Sequence, residues 1–296
     1  MHRTFRSLLQ CLLMIAGAVW GPGVGAQSSL EAELQKELDT PFVVSPEEVV
    51  DRMMRAAGVG PGDVLIDLGS GDGRIVIEAV RRGAMRALGV DNDPQLVARA
   101  TRNALLAGVA DRTSFRVENL FETDLTQASV ISFYLLPDVN RELMPRFQRL
   151  KPGTRLVSHD YGIGAWPADE TIELLTPEKT VGRDGKSRVL LFIVPADTRG
   201  EWRTDLPQHG GAWRFRIDQN FQQIEVSSMV GGKPIYVRAA RLRGEDIKVV
   251  ATGIVEGRPW NHLFQGRVSG DDIRGELTIS NGGETRKIPW TATRRQ

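Results

Sequence analysis

The 296-residue sequence predicts an α/β fold: a doubly wound, mostly parallel sheet followed by a C-terminal all-β barrel or sandwich. Three observations carry that expectation. Short apolar runs alternate with helical patterns from residue 64 to residue 158, as β-α-β units require. The first run, Val64-Leu65-Ile66-Asp67-Leu68, opens directly into a loop with glycine at 69, 71 and 73. Beyond residue 197 no convincing helical pattern remains, and short alternating runs are cut by glycine, asparagine and aspartate at hairpin spacing.

Residues 1–26 read as a signal peptide. Arg3 and Arg6 give a positive start, Leu8 to Trp20 is mostly apolar, and Val24-Gly25-Ala26 supplies the small residues of a cleavage site. The apolar run is shorter than the ~20 residues of a comfortable span, so no stable membrane span is expected after cleavage. A periplasmic or secreted location follows, with a membrane-anchored chain as the alternative. The one cysteine, Cys11, lies in this segment, so the mature chain carries no thiol. Residues 27–39 form a charged leader with Leu30, Leu34 and Leu38 at helical spacing.

Residues 40–196 make the first domain. Ser45-Pro46-Glu47-Glu48 reads as a helix start, with Ser45 as N-cap and Glu48 closing a capping box, and the helix runs through Met53 and Met54 to a stop at Gly58. Strands are expected at 64–68, 86–90, 113–117, 129–134 and 155–158, with helices notably at 95–107 and 141–150. Runs at 171–175 and 188–194 flank Gly182-Arg183-Asp184-Gly185, an antiparallel hairpin at the end of the domain. Residues 197–296 hold alternating runs at 212–217, 223–228, 235–239, 247–252, 262–268, 272–279 and 287–293, a cadence of seven or eight strands. Trp213, Trp260 and Trp290 are read there as core or rim aromatics, and Trp166 as cover for the sheet edge.

Hydrophobic content of 41% and charged content of 25% are ordinary for a globular chain. Formal net charge is +1, from 38 basic and 37 acidic side chains; losing Arg3 and Arg6 leaves 36 against 37, a charge of −1. That balance argues against nucleic acid as a partner. No His, Cys and carboxylate cluster has metal spacing, so no metal is expected.

Chemistry concentrates in the glycine loop. Glycine lacks a Cβ and tolerates positive φ, so the loop can turn sharply and let a ligand lie against its backbone. Asp91 closes the next apolar run, Ala87-Leu88-Gly89-Val90. In a doubly wound sheet the carboxyl ends of neighbouring strands share one crevice, which puts Asp91 in reach of the ribose hydroxyls of a nucleoside held over the glycines. A dinucleotide fingerprint needs a third glycine where Arg74 stands. Asp67 and Asp72 would repel a pyrophosphate but suit a cation. A ribose, an adenine and a positively charged amino acid together describe S-adenosyl-L-methionine.

With Asp67-Leu68-Gly69-Ser70-Gly71-Asp72-Gly73-Arg74, the chain resembles class I S-adenosylmethionine-dependent methyltransferases. More closely, it is similar to a bacterial group related to the lysine methyltransferases of the ATP synthase c-subunit. Thr40-Pro41-Phe42-Val43-Val44-Ser45-Pro46-Glu47-Glu48-Val49-Val50 upstream, and Asn119-Leu120-Phe121, Tyr134-Leu135-Leu136-Pro137 and Val157-Ser158-His159-Asp160 downstream, carry that likeness. It covers roughly residues 38–195. The resemblance implies a Rossmann-like methyltransferase sheet whose last strand inserts antiparallel beside the fifth. It implies that Asp67, Gly69, Ser70, Gly71, Gly73, Asp91, Asn92 and Asn119 hold the cofactor. Asn119 stands where an aspartate is usual, and its amide oxygen can still accept from an adenine amino group. Tyr134 and Pro137 fall at the acceptor side, beside the transferring methyl, and the acceptor is a protein lysine.

Methyl transfer needs alignment, a dry site and an unprotonated acceptor, not a covalent nucleophile. Ser158-His159-Asp160 is therefore not read as a triad, since neighbours on a strand point to opposite faces. His159 reads as a histidine held by local hydrogen bonds, with a substrate-side base as the alternative; Asp138 and Asn140 read as caps of the helix after Pro137. The β-rich domain is expected to position a substrate or an unknown partner. Two rivals stand beside this reading: a non-catalytic exported binding protein on the same scaffold, and a small-molecule methyltransferase.

Overall fold

The computed structural model describes residues 43–179, 185–207, 210–255 and 258–295. The expected signal peptide, leader, Thr40-Pro41-Phe42 motif and Gly182-Arg183-Asp184 tip lie outside the described residues. Seven strands form one sheet: β1 Val64–Leu68, β2 Arg86–Asp91, β3 Thr113–Val117, β4 Val130–Phe133, β5 Arg155–His159, β6 Glu170–Leu175 and β7 Lys186–Ile193, in the order β3-β2-β1-β4-β5-β7-β6. β1 to β5 pair in parallel, and β7 inserts antiparallel between β5 and β6. This is the doubly wound sheet that the sequence predicts, last strand included.

Burial on both faces explains why the central strands read as unbroken apolar runs. Leu65, Val130 and Val157 point to the face covered by α1 (Glu47–Ala56) and α2 (Arg74–Arg81), packing with Met53, Met54, Val76 and Val80. Ile66, Ile131, Phe133 and Leu156 point to the other face, where α4 (Pro137–Phe147) contributes Leu143 and Phe147. α3 (Pro94–Leu106) starts on Asp93, whose side chain accepts from the Gln95 amide at 2.7 Å. The strand order reverses between β1 and β4, and the crevice outside the carboxyl ends at such a point is where open α/β sheets bind ligands.

Two helix starts differ from expectation. α1 begins after Pro46 with no side-chain cap, because the Ser45 hydroxyl is drawn to His159 Nδ1 at 2.9 Å instead. The Ser45–Glu48 capping box does not form. α4 begins at Pro137, whose fixed φ suits a first helical position, rather than at residue 141. Neither Asp138 nor Asn140 caps it: Asp138 pairs with Arg141 at 2.5 Å, and Asn140 is buried.

The second region is a closed antiparallel barrel of eight strands: β8 Gly200–Leu206, β9 Gly211–Asn220, β10 Gln223–Val230, β11 Lys233–Arg243, β12 Asp246–Val255, β13 Arg258–Ser269, β14 Asp272–Ser280 and β15 Thr285–Arg294. β15 pairs with β8 to close it. Seven strands coincide with expected runs. β8 does not, since Trp202, Thr204 and Leu206 face inward between Glu201, Arg203 and Asp205, which dilutes the apolar signal. Trp202, Trp213, Phe215, Phe264 and Trp290 fill the interior, with Phe264 edge-on to Trp213, Phe215 and Trp290, and Trp260 packs against them half-buried.

The barrel meets the sheet at the amino end of β5. Its Gly244 lies so close that a Cβ would sit 3.1 Å from Ile193 and 3.3 Å from the Gly153 backbone, and the Gly244 carbonyl accepts from the Ala196 amide. At the β9–β10 turn, Phe221 stacks on Trp166 at 5.3 Å while Gln222 accepts from Trp166 Nε1 and donates to the Pro167 carbonyl. Trp166 thus covers the sheet as expected, and also receives the barrel.

Gly275 tests the barrel's packing. A Cβ there would fall 1.9 Å from the Gln265 carbonyl oxygen on the paired strand. Gly275→Ala should cost about 1–3 kcal/mol or more in urea unfolding, the usual range for overpacking. Gly60→Ala, at a position with open space, should stay within about 0.5 kcal/mol of wild type. Equal stability of the two variants would contradict the packing described.

Candidate active site

The glycine loop is fastened to β2 before it does anything else. The amides of Gly69 and Ser70 both donate to the Val90 carbonyl at 2.9 Å. Gly69, Gly71 and Gly73 have φ of +76°, +52° and +82°, the left-handed region that costs glycine nothing and other residues strain. Gly73 is fixed by crowding as well, since a Cβ there would stand 2.8 Å from the Phe115 ring and 2.9 Å from Ala100. Gly89 on β2 matters for the same reason: a Cβ would lie 2.6 Å from that of Ser70. Spacing alone did not single Gly89 out, because its reason is the loop crossing above it.

Asp91 faces the loop. Its Oδ2 accepts from the Gly71 amide at 2.8 Å and its Oδ1 from the Asp93 amide at 3.1 Å. A carboxylate offers about four lone-pair sites, so two backbone bonds leave room for two more donors. The Glu118 amide donates to the Asp91 carbonyl at 3.0 Å, which sets Glu118 and Asn119 beside Asp91 at the end of β3. Asn119 is exposed and its Oδ1 accepts from the Phe121 amide at 3.0 Å, so one lone pair serves a turn and the other is left for a ligand. Asn92 is exposed and follows Asp91 on the rim.

Asp67 lies beneath the loop, fully buried. Its Oδ1 accepts from Ser132 Oγ at 2.7 Å, while its Oδ2 and the buried Ser70 Oγ have no hydrogen-bond partner among the described residues. Burial pushes the Asp67 carboxyl up to about 8, eased by the Ser132 bond and reinforced by the charges of Asp91 and Asp72. A cation placed there would draw it back to the ionised form. Asp72 does not share that role. Burial opposes its charge, but Arg74 holds it with hydrogen bonds at 2.6 and 2.9 Å and keeps its carboxyl below the ordinary range. Of the two acids expected to suit a cationic ligand, only Asp67 is placed to do so. Arg74 also donates to the Ser45 carbonyl at 2.9 Å and pins the segment before α1 to the loop.

The exit of β4 closes the other side. A Cβ at Gly69 would be 3.0 Å from Leu135 Cδ2, so Tyr134-Leu135 leaves the sheet directly against the loop. The half-buried Tyr134 ring lies 3.9 Å from that of His159 and 6.2 Å from that of Tyr161, and its hydroxyl donates to Asp160 Oδ2 at 3.2 Å. Burial and the Asp160 charge raise the phenol well above its usual value, so it stays neutral. Pro137 is exposed and starts α4. Asn140 spans the gap behind, its Nδ2 placed toward the carbonyls of Leu135, Tyr161 and Gly162 at 3.4, 3.4 and 3.2 Å.

His159 is fully buried between Ser45 Oγ at 2.9 Å and Ser187 Oγ at 3.0 Å. Burial lowers it to about 4, so it is neutral at physiological pH; it is held by hydrogen bonds and does not face a substrate as a base. Ser158 Oγ donates to the Tyr161 carbonyl at 2.6 Å, away from His159, and no triad forms. Asp160 is the residue that the sequence reading did not single out by itself. At φ +63° it accepts from Tyr134, from the Arg188 amide at 3.0 Å and from Lys179 Nζ at 2.7 Å.

Residues 67–170 match the family model described as the ANTKMT methyltransferase domain. A protein-lysine N-methyltransferase of Saccharolobus islandicus is 40% identical over 136 residues, 45% of this chain and 84% of that one. The chain belongs to this methyltransferase family. An adenine nucleotide translocase lysine N-methyltransferase of Mus musculus is 30% identical over 191 residues, 62% of this chain and 79% of the relative. A solved RNA methyltransferase of Salinibacter ruber, in complex with S-adenosylhomocysteine, is 46% identical, covers 52% of this chain and 95% of that one, and has a TM-score of 0.47. As a member of the family, the protein is an S-adenosylmethionine-dependent methyltransferase. The site fits that cofactor: three glycines at positive φ, a carboxylate with lone pairs to spare, and two buried oxygens, Asp67 Oδ2 and Ser70 Oγ, without a hydrogen-bond partner among the described residues.

Asp67 gives a pH signature. Its folded value of about 8 lies above the ordinary 3.8, so the native state binds the proton more tightly and stability falls as pH rises between those values, levelling off above. Asp67→Asn removes that dependence. Unfolding at pH 5, 7 and 9 should show the variant gaining on wild type by on the order of a few kcal/mol toward the alkaline end. A difference that does not change with pH would contradict the assignment.

Proposed function

We propose that the protein transfers a methyl group from S-adenosyl-L-methionine to the side-chain amine of a protein lysine. The observation that carries this reading is the contact of Leu135 with Gly69, which joins the aromatic exit of β4 to the glycine loop in one crevice. In this reading Asp91 takes the ribose hydroxyls, Asn119 and Asn92 border the adenine and ribose, and Asp67 with the amides and Ser70 hydroxyl of the loop receives the amino-acid end. The bound cofactor supplies a methyl group activated by a sulfonium. Tyr134 and Leu135 wall the crevice from water, and burial lowers an incoming ammonium so that it can shed its proton. The names of the two lysine methyltransferases above support the acceptor class.

The barrel is proposed to bind a partner rather than line the acceptor site, because its contacts with Gly153, Ile193 and Trp166 lie toward the amino end of β5. Among the described residues no helix is long and apolar enough to cross a membrane. Export to the periplasm or medium belongs to the same proposal, supported by Arg3, Arg6 and the apolar run ending at Val24-Gly25-Ala26.

Calorimetry tests the donor half. Wild type should bind S-adenosylmethionine and its demethylated product, and Asp91→Ala should bind each about 10- to 100-fold more weakly, the loss of hydrogen bonds to a charged acceptor. Labelled methyl groups given with lysine-bearing protein should then appear in methyl-lysine. No binding at millimolar ligand, or label in any other residue, would contradict the proposal.

A further inference from the structure

We propose that Asp160, Tyr134 and Tyr161 form the slot for the acceptor ammonium, and that Lys179 of the same chain occupies it and is methylated there. The inference rests on the lysine reading above and deepens it. Lys179 is held in a way that surface lysines are not. Its side chain is 8% exposed, and its Nζ donates to Asp160 Oδ2 at 2.7 Å and to the Lys186 carbonyl at 2.6 Å. An ammonium taken out of water is costly unless paired, so the site is built to receive one.

The turn carrying Lys179 is fixed: its amide donates to the Thr176 carbonyl at 3.0 Å, the Thr176 amide donates to the Gly185 carbonyl at 2.8 Å, and the hydroxyls of Thr176 and Ser187 lie 2.9 Å apart. The receiving carboxylate is fixed as well. Asp160 adopts φ +63°, a conformation that costs an L-residue energy and persists only where its surroundings impose it. The Arg188 amide fixes its Oδ1, and Asn140 lies against the carbonyls of Tyr161 and Gly162 next to it. Tyr134 and Tyr161, whose rings are 6.2 Å apart, supply aromatic surface of the kind that accommodates ammonium and methylammonium groups.

A chain of contacts links the slot to the donor side. Asp160 Oδ2 takes both the Lys179 ammonium and the Tyr134 hydroxyl, and the residue after Tyr134 lies against Gly69 of the loop. The reaction balances without a further reagent. Lys179 Nζ loses one proton to solvent, its lone pair forms the N–C bond as the donor's C–S bond breaks, and that bond pair stays on sulfur; methyl-lysine, S-adenosylhomocysteine and one proton result. A first methyl leaves an amine that can repeat the step.

Two measurements decide it. Protein incubated with S-adenosylmethionine, digested and weighed by mass spectrometry should carry one or more methyl groups on Lys179, at a rate per molecule independent of protein concentration, and Asp91→Ala should acquire them about 10- to 100-fold more slowly at donor concentrations below saturation. Separately, cofactor-free protein titrated with butylammonium, a mimic of the lysine end, should bind at least about tenfold more weakly in wild type than in Lys179→Met, because the slot is already taken. Asp160→Asn in the Lys179→Met background should abolish that binding. An unmodified Lys179 in a preparation that methylates external lysine peptides, or equal butylammonium binding by wild type and Lys179→Met, would overturn the inference and leave the lysine reading intact. Methylation of Lys179 with no external protein accepted would uphold the inference and overturn the reading for other proteins.

Discussion

The Gly71 amide bonded to the Asp91 carboxylate at 2.8 Å, with the Gly69 and Ser70 amides both on the Val90 carbonyl, ties the loop after β1 to the end of β2. Every other part of the site takes its place from that tie. It holds the amides of Gly69, Ser70 and Gly71 down onto β2. It turns a carboxylate toward the bend without exhausting its lone pairs. It also brings Ser70 over Gly89 so closely that Gly89 has no room for a Cβ. Remove the tie and the bend, the crevice and the approach of Leu135 have nothing to register them.

A second constraint runs from the loop to the far side of the sheet. Arg74 holds the Ser45 carbonyl, the Ser45 hydroxyl holds His159, and His159 reaches Ser187 on β7. This chain of hydrogen bonds runs alongside the Tyr134 ring, and burial keeps His159 neutral in the interior rather than offering it to a substrate. With His159 and Tyr134 both neutral, the Asp160 carboxylate is the acceptor at this end of the crevice, and Lys179 Nζ lies 2.7 Å from its Oδ2.

The glycine loop, Asp91 and the doubly wound sheet were legible in the sequence because each is written in a local code: positive φ selects glycine, burial on both faces selects unbroken apolar runs, and a strand end selects where an acid can point. What was not legible depends on partners far along the chain. Ser45 has every local attribute of an N-cap, and His159, remote in sequence, claims its hydroxyl. Asp72 carries the right charge in the right loop, but Arg74 two residues on pairs with it. Asn140 reads as a capping residue and is instead buried against three carbonyls, and β8 hides its inward Trp202 and Leu206 among charges. Asp160 and Lys179 leave no periodic trace, since only the fold brings β5 and the turn after β6 together.

In the proposed function Asp91 and the glycine bend hold the sugar of the donor, with Tyr134 beside the reacting end. A crystal structure of the complex with S-adenosylhomocysteine tests it most directly. The ribose hydroxyls should lie within hydrogen-bond distance, about 3 Å, of Asp91, with the sulfur facing Tyr134. A product molecule bound elsewhere, or an Asp91 carboxylate that leaves the Gly71 amide and turns from the sugar, would contradict it.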